Sequence, residues 1–303
     1  MNVLVTGGAG FMGSAVVRQL EAEGHEVSVL DALTYAGSWA HLDGTGAARI
    51  LGDVCDAAAV RAALSGVDTV VHMAAETHVE RSLHDAGPFI RTNVEGTRVL
   101  LEACRAGHGH PLIQMIYVST DEVFGSVAVG GFREEDTHVP GNPYAVTKSS
   151  AEALVRVWAR CFGLRARIVR CVNNYGPRQH PEKAVSGWIQ RAVQGEPLLV
   201  HGAGEAVRDW LHVEDFARAM GRVLRFEGPR SVFHLAAQCH RTNLEMVQTI
   251  ARLAGGADIQ FVADRTGQDA RYALDDAGTR ADLHWAPEVQ LEQGLGELLA
   301  ELR

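Results

Sequence analysis

The chain has few cysteines, a shortage of positive charge and no long apolar run, and each of these closes off a class of protein. Its five cysteines, Cys55, Cys104, Cys161, Cys171 and Cys239, are odd in number, widely spaced and without a C-x-x-C pair, so neither a disulfide framework nor a zinc knuckle is expected. They read as small apolar groups of a protein held in a reducing cytoplasm. Twenty-eight Lys and Arg against 37 Asp and Glu give a net charge of -9, which speaks against a nucleic-acid surface or an anionic membrane but leaves room for a local basic pocket. A phosphorylated small molecule is the expected partner. MNVLVTGG opens directly on an apolar strand with no charged n-region before it, and no apolar stretch reaches membrane-spanning length, so neither a signal peptide nor a span is expected. Among fourteen histidines, His108 and His110 flank one glycine but lack further ligands at a zinc spacing, and no metal is expected. Tandem repeats and low-complexity tracts are also missing.

What is there is a rhythm. NVLVTG, SAVVRQLEAEG, HEVSVLD, AAAVRAALSG, DTVVHMAA, TNVEGTRVLLEACRAG and MIYVST alternate short β-branched runs with helical patterns. Parallel strands need crossover helices, so the alternation predicts an α/β fold: a Rossmann-type doubly wound parallel sheet with a smaller C-terminal α/β substrate lobe. The expected division is a nucleotide-binding domain over 1–175, rejoined by about 206–237, and a second lobe over 176–205 and 238–303. A cleft is expected at the C-terminal ends of the strands.

Gly7, Gly10 and Gly13 stand in TGGAGFMGS, after the first strand and at the start of the first helix. They permit a tight turn, close approach of a pyrophosphate to the backbone, and close packing of helix on strand. Asp31 ends the second strand at a spacing suited to an acid that binds adenosine ribose hydroxyls, and its charge favours NAD over NADP. Asp53, after the third strand, is placed to reach the adenine edge.

Tyr144 and Lys148 are four apart in NPYAVTKSSAE, so on a helix they share a face, and a lysine ammonium near a phenol lowers its pKa toward use as a base. A strand ending Ser119-Thr120 precedes them, followed by Asp121 and Glu122 in VSTDEVFG. Two adjacent carboxylates after a buried strand repel each other, so the pair calls for a chemical reason.

These stretches, with DALTYAG, HMAAETHVERS, NNYGPRQHPEK, RDWLHVED, ARYALD and LHWAPEV, resemble the extended short-chain dehydrogenase/reductase family along nearly the whole chain, and within it the nucleotide-sugar 4,6-dehydratases. The acid pair is the most discriminating part. The resemblance implies a bound NAD and dehydration of a nucleotide-hexose, dTDP-glucose first, to a 4-keto-6-deoxy sugar. It implies Tyr144, Lys148 and Thr120 acting at the 4-hydroxyl, Glu122 as base at C5, and protonated Asp121 as acid toward the departing 6-hydroxyl. On the NAD side it adds Phe11, Met12, Thr34, Val54, Ala74, Ala75, Thr92 and Asn174. For the sugar nucleotide it indicates Thr77, Asn173, Lys183, Arg208, Asn243, Arg271 and Tyr272. A homodimer through helices of the first lobe is implied as well. Phe124, His201 and Gln268 depart from the family's usual Tyr, Tyr and His, and HLDGTGAARI is short; His201 and Gln268 leave thymine against uracil open. Another UDP-sugar dehydratase, an epimerase, a decarboxylase, and a catalytically silent NAD-binding protein are the alternative readings.

Overall fold

The computed structural model describes residues 1–105, 113–265, 267 and 269–302. His108, His110 and Gln268 lie outside the described residues. The strands are β1 (Asn2–Thr6), β2 (Glu26–Asp31), β3 (Ala48–Leu51), β4 (Thr69–His72), β5 (Gln114–Thr120), β6 (Ala166–Cys171), β7 (Asn173–Tyr175), β8 (Leu198–His201), β9 (Val207–His212), β10 (Val232–Leu235), β11 (His240–Thr242) and β12 (Ile259–Val262). Seven of them form a sheet in the order β10-β6-β5-β4-β1-β2-β3, every pair parallel. Strand order reverses between β1 and β4, and at that switch point the chain leaves both strands in opposite directions and opens a crevice at their C-terminal ends. The expected doubly wound sheet is therefore observed.

Apolar runs such as VLV and TVVH bury both faces of their strands, as a sheet covered by helices on both sides requires. One core cluster packs the helices Phe11–Ala22 and Val213–Arg225 on one face; the other packs Ala57–Ala63, Thr97–Cys104 and Pro143–Phe162 on the opposite face. The ARIVRCVNNYG stretch, which reads as one strand, is divided at Val172: β6 stays in the main sheet while β7 pairs with β9 of a second sheet. A third cluster joins Tyr175, Trp188, Leu198, Trp210, Ile250 and Leu295, and the smaller α/β region is built on it. The helix read from Thr92 begins earlier, at Gly87–Phe89, and passes through a π-helical stretch Ile90–Gly96 before Thr97–Cys104.

A buried ion network anchors the long helix Pro143–Phe162 to the sheet. Glu152, fully buried on that helix, accepts from Arg170 Nε of β6 at 3.1 Å and from Arg156 Nε at 3.1 Å, with His138 Nε2 at 3.6 Å. Arg170 is 1% exposed and lies 4.6 Å over the Phe124 ring. Removing one member leaves the other charge buried without its partner, which costs far more than the intact pair contributes. Glu152→Ala is expected to destabilise the fold by about 3 kcal/mol, measured as a lower midpoint in urea unfolding.

Candidate active site

At the C-terminal end of β1 the chain turns at Gly7, whose φ of 71° is left-handed and where a Cβ would lie 2.7 Å from the backbone of Ala74. A Cβ on Gly13 would fall 2.1 Å from the Gly7 carbonyl oxygen, so the helix can begin flush against the turn only with glycine there. That helix, Phe11–Ala22, is N-capped by Gly10 with no side-chain cap and no acid in its first turn. The positive end of its dipole is thereby left to an anion. Gly7, Gly10, Phe11, Met12, Gly13, Asp31, Thr34, Asp53, Val54, Ala74, Ala75, Thr92 and Asn174 all line one cleft of about 360 Å³. The buried Oδ1 of Asn174 has no hydrogen-bond partner, an acceptor still owed a donor. A glycine cradle, a bare helix N-terminus and an orphaned acceptor fit a dinucleotide.

Asp31 has a second task that its spacing does not reveal. Its Oδ2 accepts from Ala9 N at 2.9 Å and its Oδ1 from Leu33 N at 2.8 Å, so it fastens the glycine turn to the loop after β2. Burial raises its pKa against the pull of these two bonds. Each oxygen retains a second lone pair for a ribose hydroxyl. Asp53 holds the N–H of Cys55 at 2.8 Å and meets Arg91 at 3.4 Å.

The chemical end of the cleft is set by β5 and the long helix. Thr120 ends β5 and caps a short 3-10 turn, Asp121–Phe124, accepting from Glu122 N at 3.3 Å while its hydroxyl donates to Asp121 Oδ1 at 3.1 Å. Asp121 is 2% exposed, and its Oδ2 has no hydrogen-bond partner. Burial, then the neighbouring Glu122 charge, pushes its carboxyl up to about 8. Burial raises Glu122 too, but a hydrogen bond from Asn142 Nδ2 at 3.0 Å and the charges of Arg208 and Lys183 oppose this. Both carboxyls are raised by burial, and Glu122 alone has an amide donor and a lysine set against that rise.

Pro143 at the first turn and Asn142 as N-cap start the helix that carries Tyr144 and Lys148 into the same cleft. Here the structure departs from the expected lowering of the phenol. Burial holds Tyr144 well above its ordinary pKa, Glu122 adds to the rise, and a hydrogen bond with Thr120 opposes it. Lys148 Nζ donates to the Val118 carbonyl at 2.7 Å and lies 4.4 Å over the Tyr117 ring, and burial lowers its pKa to about 8. The shared face is present, with one ammonium N–H bonded to the strand beneath.

The sugar-nucleotide candidates divide. Thr77, Asn173 and Lys183 line the cleft, Lys183 Nζ donating to the Thr77 carbonyl at 3.0 Å. Arg208 is 8% exposed, stacks 4.4 Å over Tyr272, donates to the Asp269 carbonyl, and places its charge on both Asp121 and Glu122. Tyr272 donates to Asp269 Oδ2 at 2.8 Å. Asn243 starts the helix Asn243–Leu253, its N–H bonded to the Ala206 carbonyl at 3.0 Å, away from the lining. Arg271 turns elsewhere: its guanidinium donates to the Gly130 carbonyl at 2.8 Å and lines a separate cavity beside Gln238 and Arg280. Phe124 is buried and stacked 4.8 Å from Phe132, a setting without need of a hydroxyl, and His201 bonds the Ala263 carbonyl at 3.0 Å.

Several lining residues went unmarked in the sequence. Tyr35, Glu76 and Glu182 line the cleft, and Arg81, on the helix Val79–His84, lies 3.8 Å over the Tyr35 ring and 2.8 Å from Glu182, joining three separate segments at its edge. DALTYAG, HVERS and HPEK each supply one partner, and only the fold brings them together. No cluster of metal-ligating side chains occurs among the described residues, nor is any described helix long and apolar enough to cross a membrane.

Against known proteins, residues 3–236 match the model of the NAD dependent epimerase/dehydratase family. The low-salt glycan biosynthesis protein Agl12 of Haloferax volcanii is 43% identical over 97% of this chain and 96% of its own. A dTDP-glucose 4,6-dehydratase of Streptomyces niveus is 41% identical over 98% and 91%. The crystal structure of DesIV, a dTDP-glucose 4,6-dehydratase from Streptomyces venezuelae with NAD bound, matches with a TM-score of 0.93 at 40% identity, covering 99% of this chain and 96% of that one. A family model spanning most of the chain, and relatives alike from end to end, agree with the cleft's glycine cradle and Tyr-Lys helix: the chain belongs to the NAD dependent epimerase/dehydratase family.

Proposed function

We propose that this enzyme dehydrates dTDP-glucose to dTDP-4-keto-6-deoxyglucose and water in deoxysugar synthesis in the cytoplasm. The carrying observation is the adjacent pair of buried Asp121, its carboxyl pushed up to about 8, and half-buried Glu122, held by an amide donor, in one cleft with Tyr144 and Lys148. Simple epimerisation at C4 has no use for such a pair. NAD is held by the glycine turn and the bare helix N-terminus at its pyrophosphate, by Asp31 at a ribose, and by Asp53 and Val54 near the adenine. A bound NAD supplies a hydride acceptor for C4 and a donor for C6, so no outside reductant is consumed.

Tyr144 takes the proton of the 4-hydroxyl, and Thr120, lining the same cleft, positions that oxygen. Lys148, one helical turn away, keeps two ammonium N–H groups beyond its bond to the Val118 carbonyl, and these serve the phenolate as it forms. The 4-ketone acidifies the C5 hydrogen, which Glu122 accepts, while Asp121 gives its proton to the C6 oxygen and water leaves. Glu122 then returns its proton to C5 as C6 is reduced. Lys183 and Arg208 carry the positive charge for the diphosphate, with Asn173 and Thr77 toward the sugar.

The partner beyond substrate is a second copy of this chain. Val146 and Val157 are 46% and 36% exposed on one face of the long helix, beside Ile90 at 54% on the neighbouring one. Light scattering is expected to give twice the chain mass, and Val146→Glu to halve it.

Incubation with dTDP-glucose is expected to yield a product lighter by one water, without consumption of added NADH. An unchanged mass would indicate an epimerase, loss of carbon dioxide a decarboxylase, and no keto sugar from any dTDP- or UDP-hexose ends the proposal. Because Asp121 must hold its proton, kcat is expected to fall as pH rises past about 8. Asp121→Asn is expected to lower kcat about 100-fold and to abolish that alkaline limb, as a pH-rate series will record.

A further inference from the structure

Glu122 reaches its cleft from a four-residue turn, while Tyr144 and Lys148 ride on a twenty-residue helix from another part of the chain. Bases and acids that act on adjacent carbons of one sugar must be held in register. One buried side chain spans the two elements. Asn142 is 3% exposed; its Oδ1 accepts from Ala145 N at 2.9 Å, capping the helix, and its Nδ2 donates to Glu122 Oε2 at 3.0 Å. The amide has no choice of orientation, since the Ala145 N–H requires the oxygen and leaves the NH2 for the carboxylate.

Among the described residues the other side chain within reach of Glu122 is Tyr272, whose oxygen is 3.5 Å from Oε2. A phenol has one proton, and Asp269 Oδ2, at 2.8 Å, takes the better bond. That leaves Asn142 as the side-chain donor to Glu122.

Resting on the dehydration reading, we propose that Asn142 is a positioning residue for the C5 base, tying the Glu122 carboxylate to the start of the helix that carries Tyr144 and Lys148. The charged groups facing Glu122 are Asp121, Lys183, Arg208 and Asp269, and none of them also caps that helix. Loss of the amide donor therefore disfavours the ionised base while the cationic neighbours stay in place.

Asn142→Ser separates the two bonds, because serine caps a helix as well as asparagine but is too short to reach Glu122. The variant is expected to keep its fold and its KM for dTDP-glucose, with kcat about tenfold lower near pH 6 and a smaller deficit near pH 8. Incorporation of solvent deuterium at C5 is expected to slow in parallel. Asn142→Asp keeps the cap oxygen and the side-chain length but sets a carboxylate against Glu122, so its acidic limb is expected to move further up; it stays informative where the serine variant loses the fold. A wild type that dehydrates dTDP-glucose, with the acidic limb and C5 exchange unchanged in the folded variants, overturns the proposal alone. A wild type that forms no keto sugar removes the dehydration reading and this proposal with it.

Discussion

Two neighbouring carboxyl groups at the end of a buried strand cannot both be ionised cheaply, and the chemistry of this cleft depends on how that conflict is settled. The 3-10 turn after β5 drives Asp121 beneath the surface and leaves one of its oxygens without a partner, while Glu122 stays half-buried within reach of an amide donor and two cations. Low dielectric and a charged neighbour push the Asp121 carboxyl up to about 8, and under the proposed dehydration a proton held there is what the elimination delivers to a leaving hydroxyl.

The remaining structure keeps that pair in place relative to everything else. Parallel pairing of β5 between β4 and β6 fixes where Thr120 ends, next to the switch point at which the glycine turn opens. The helix bearing Tyr144 is anchored by the buried Glu152-Arg170 contact to the same sheet. Arg170 in turn lies on the Phe124 ring, two residues beyond Glu122. The turn carrying Asp121 and Glu122 and the helix carrying Tyr144 and Lys148 therefore share one packed support.

Much of the fold and part of the site were legible along the chain because they rest on local rules. β-branched runs alternating with amphipathic stretches specify a parallel sheet, glycines at fixed intervals admit one backbone turn, and four-residue spacing aligns Tyr144 with Lys148. Asp31 was legible in position but not in its bonding, since its bonds to Ala9 and Leu33 depend on how the glycine turn meets the next loop. Arg271 illustrates the opposite failure: a cation at a matching position whose side chain serves carbonyls in another cavity.

By itself the amino-acid order determined the layered sheet, the glycine turn after the first strand and the shared helix face of Tyr144 and Lys148, all of which follow from periodicity and from residue chemistry at short separations. Tertiary structure alone decided which acid is the more deeply buried, that Lys148 bonds the Val118 carbonyl, and that Tyr35 and Glu182 line the cleft with Arg81 between them. Those outcomes depend on burial and on contacts between segments distant in the chain, and neither the dielectric around a carboxyl nor the partner of an amide exists until the chain has closed on itself.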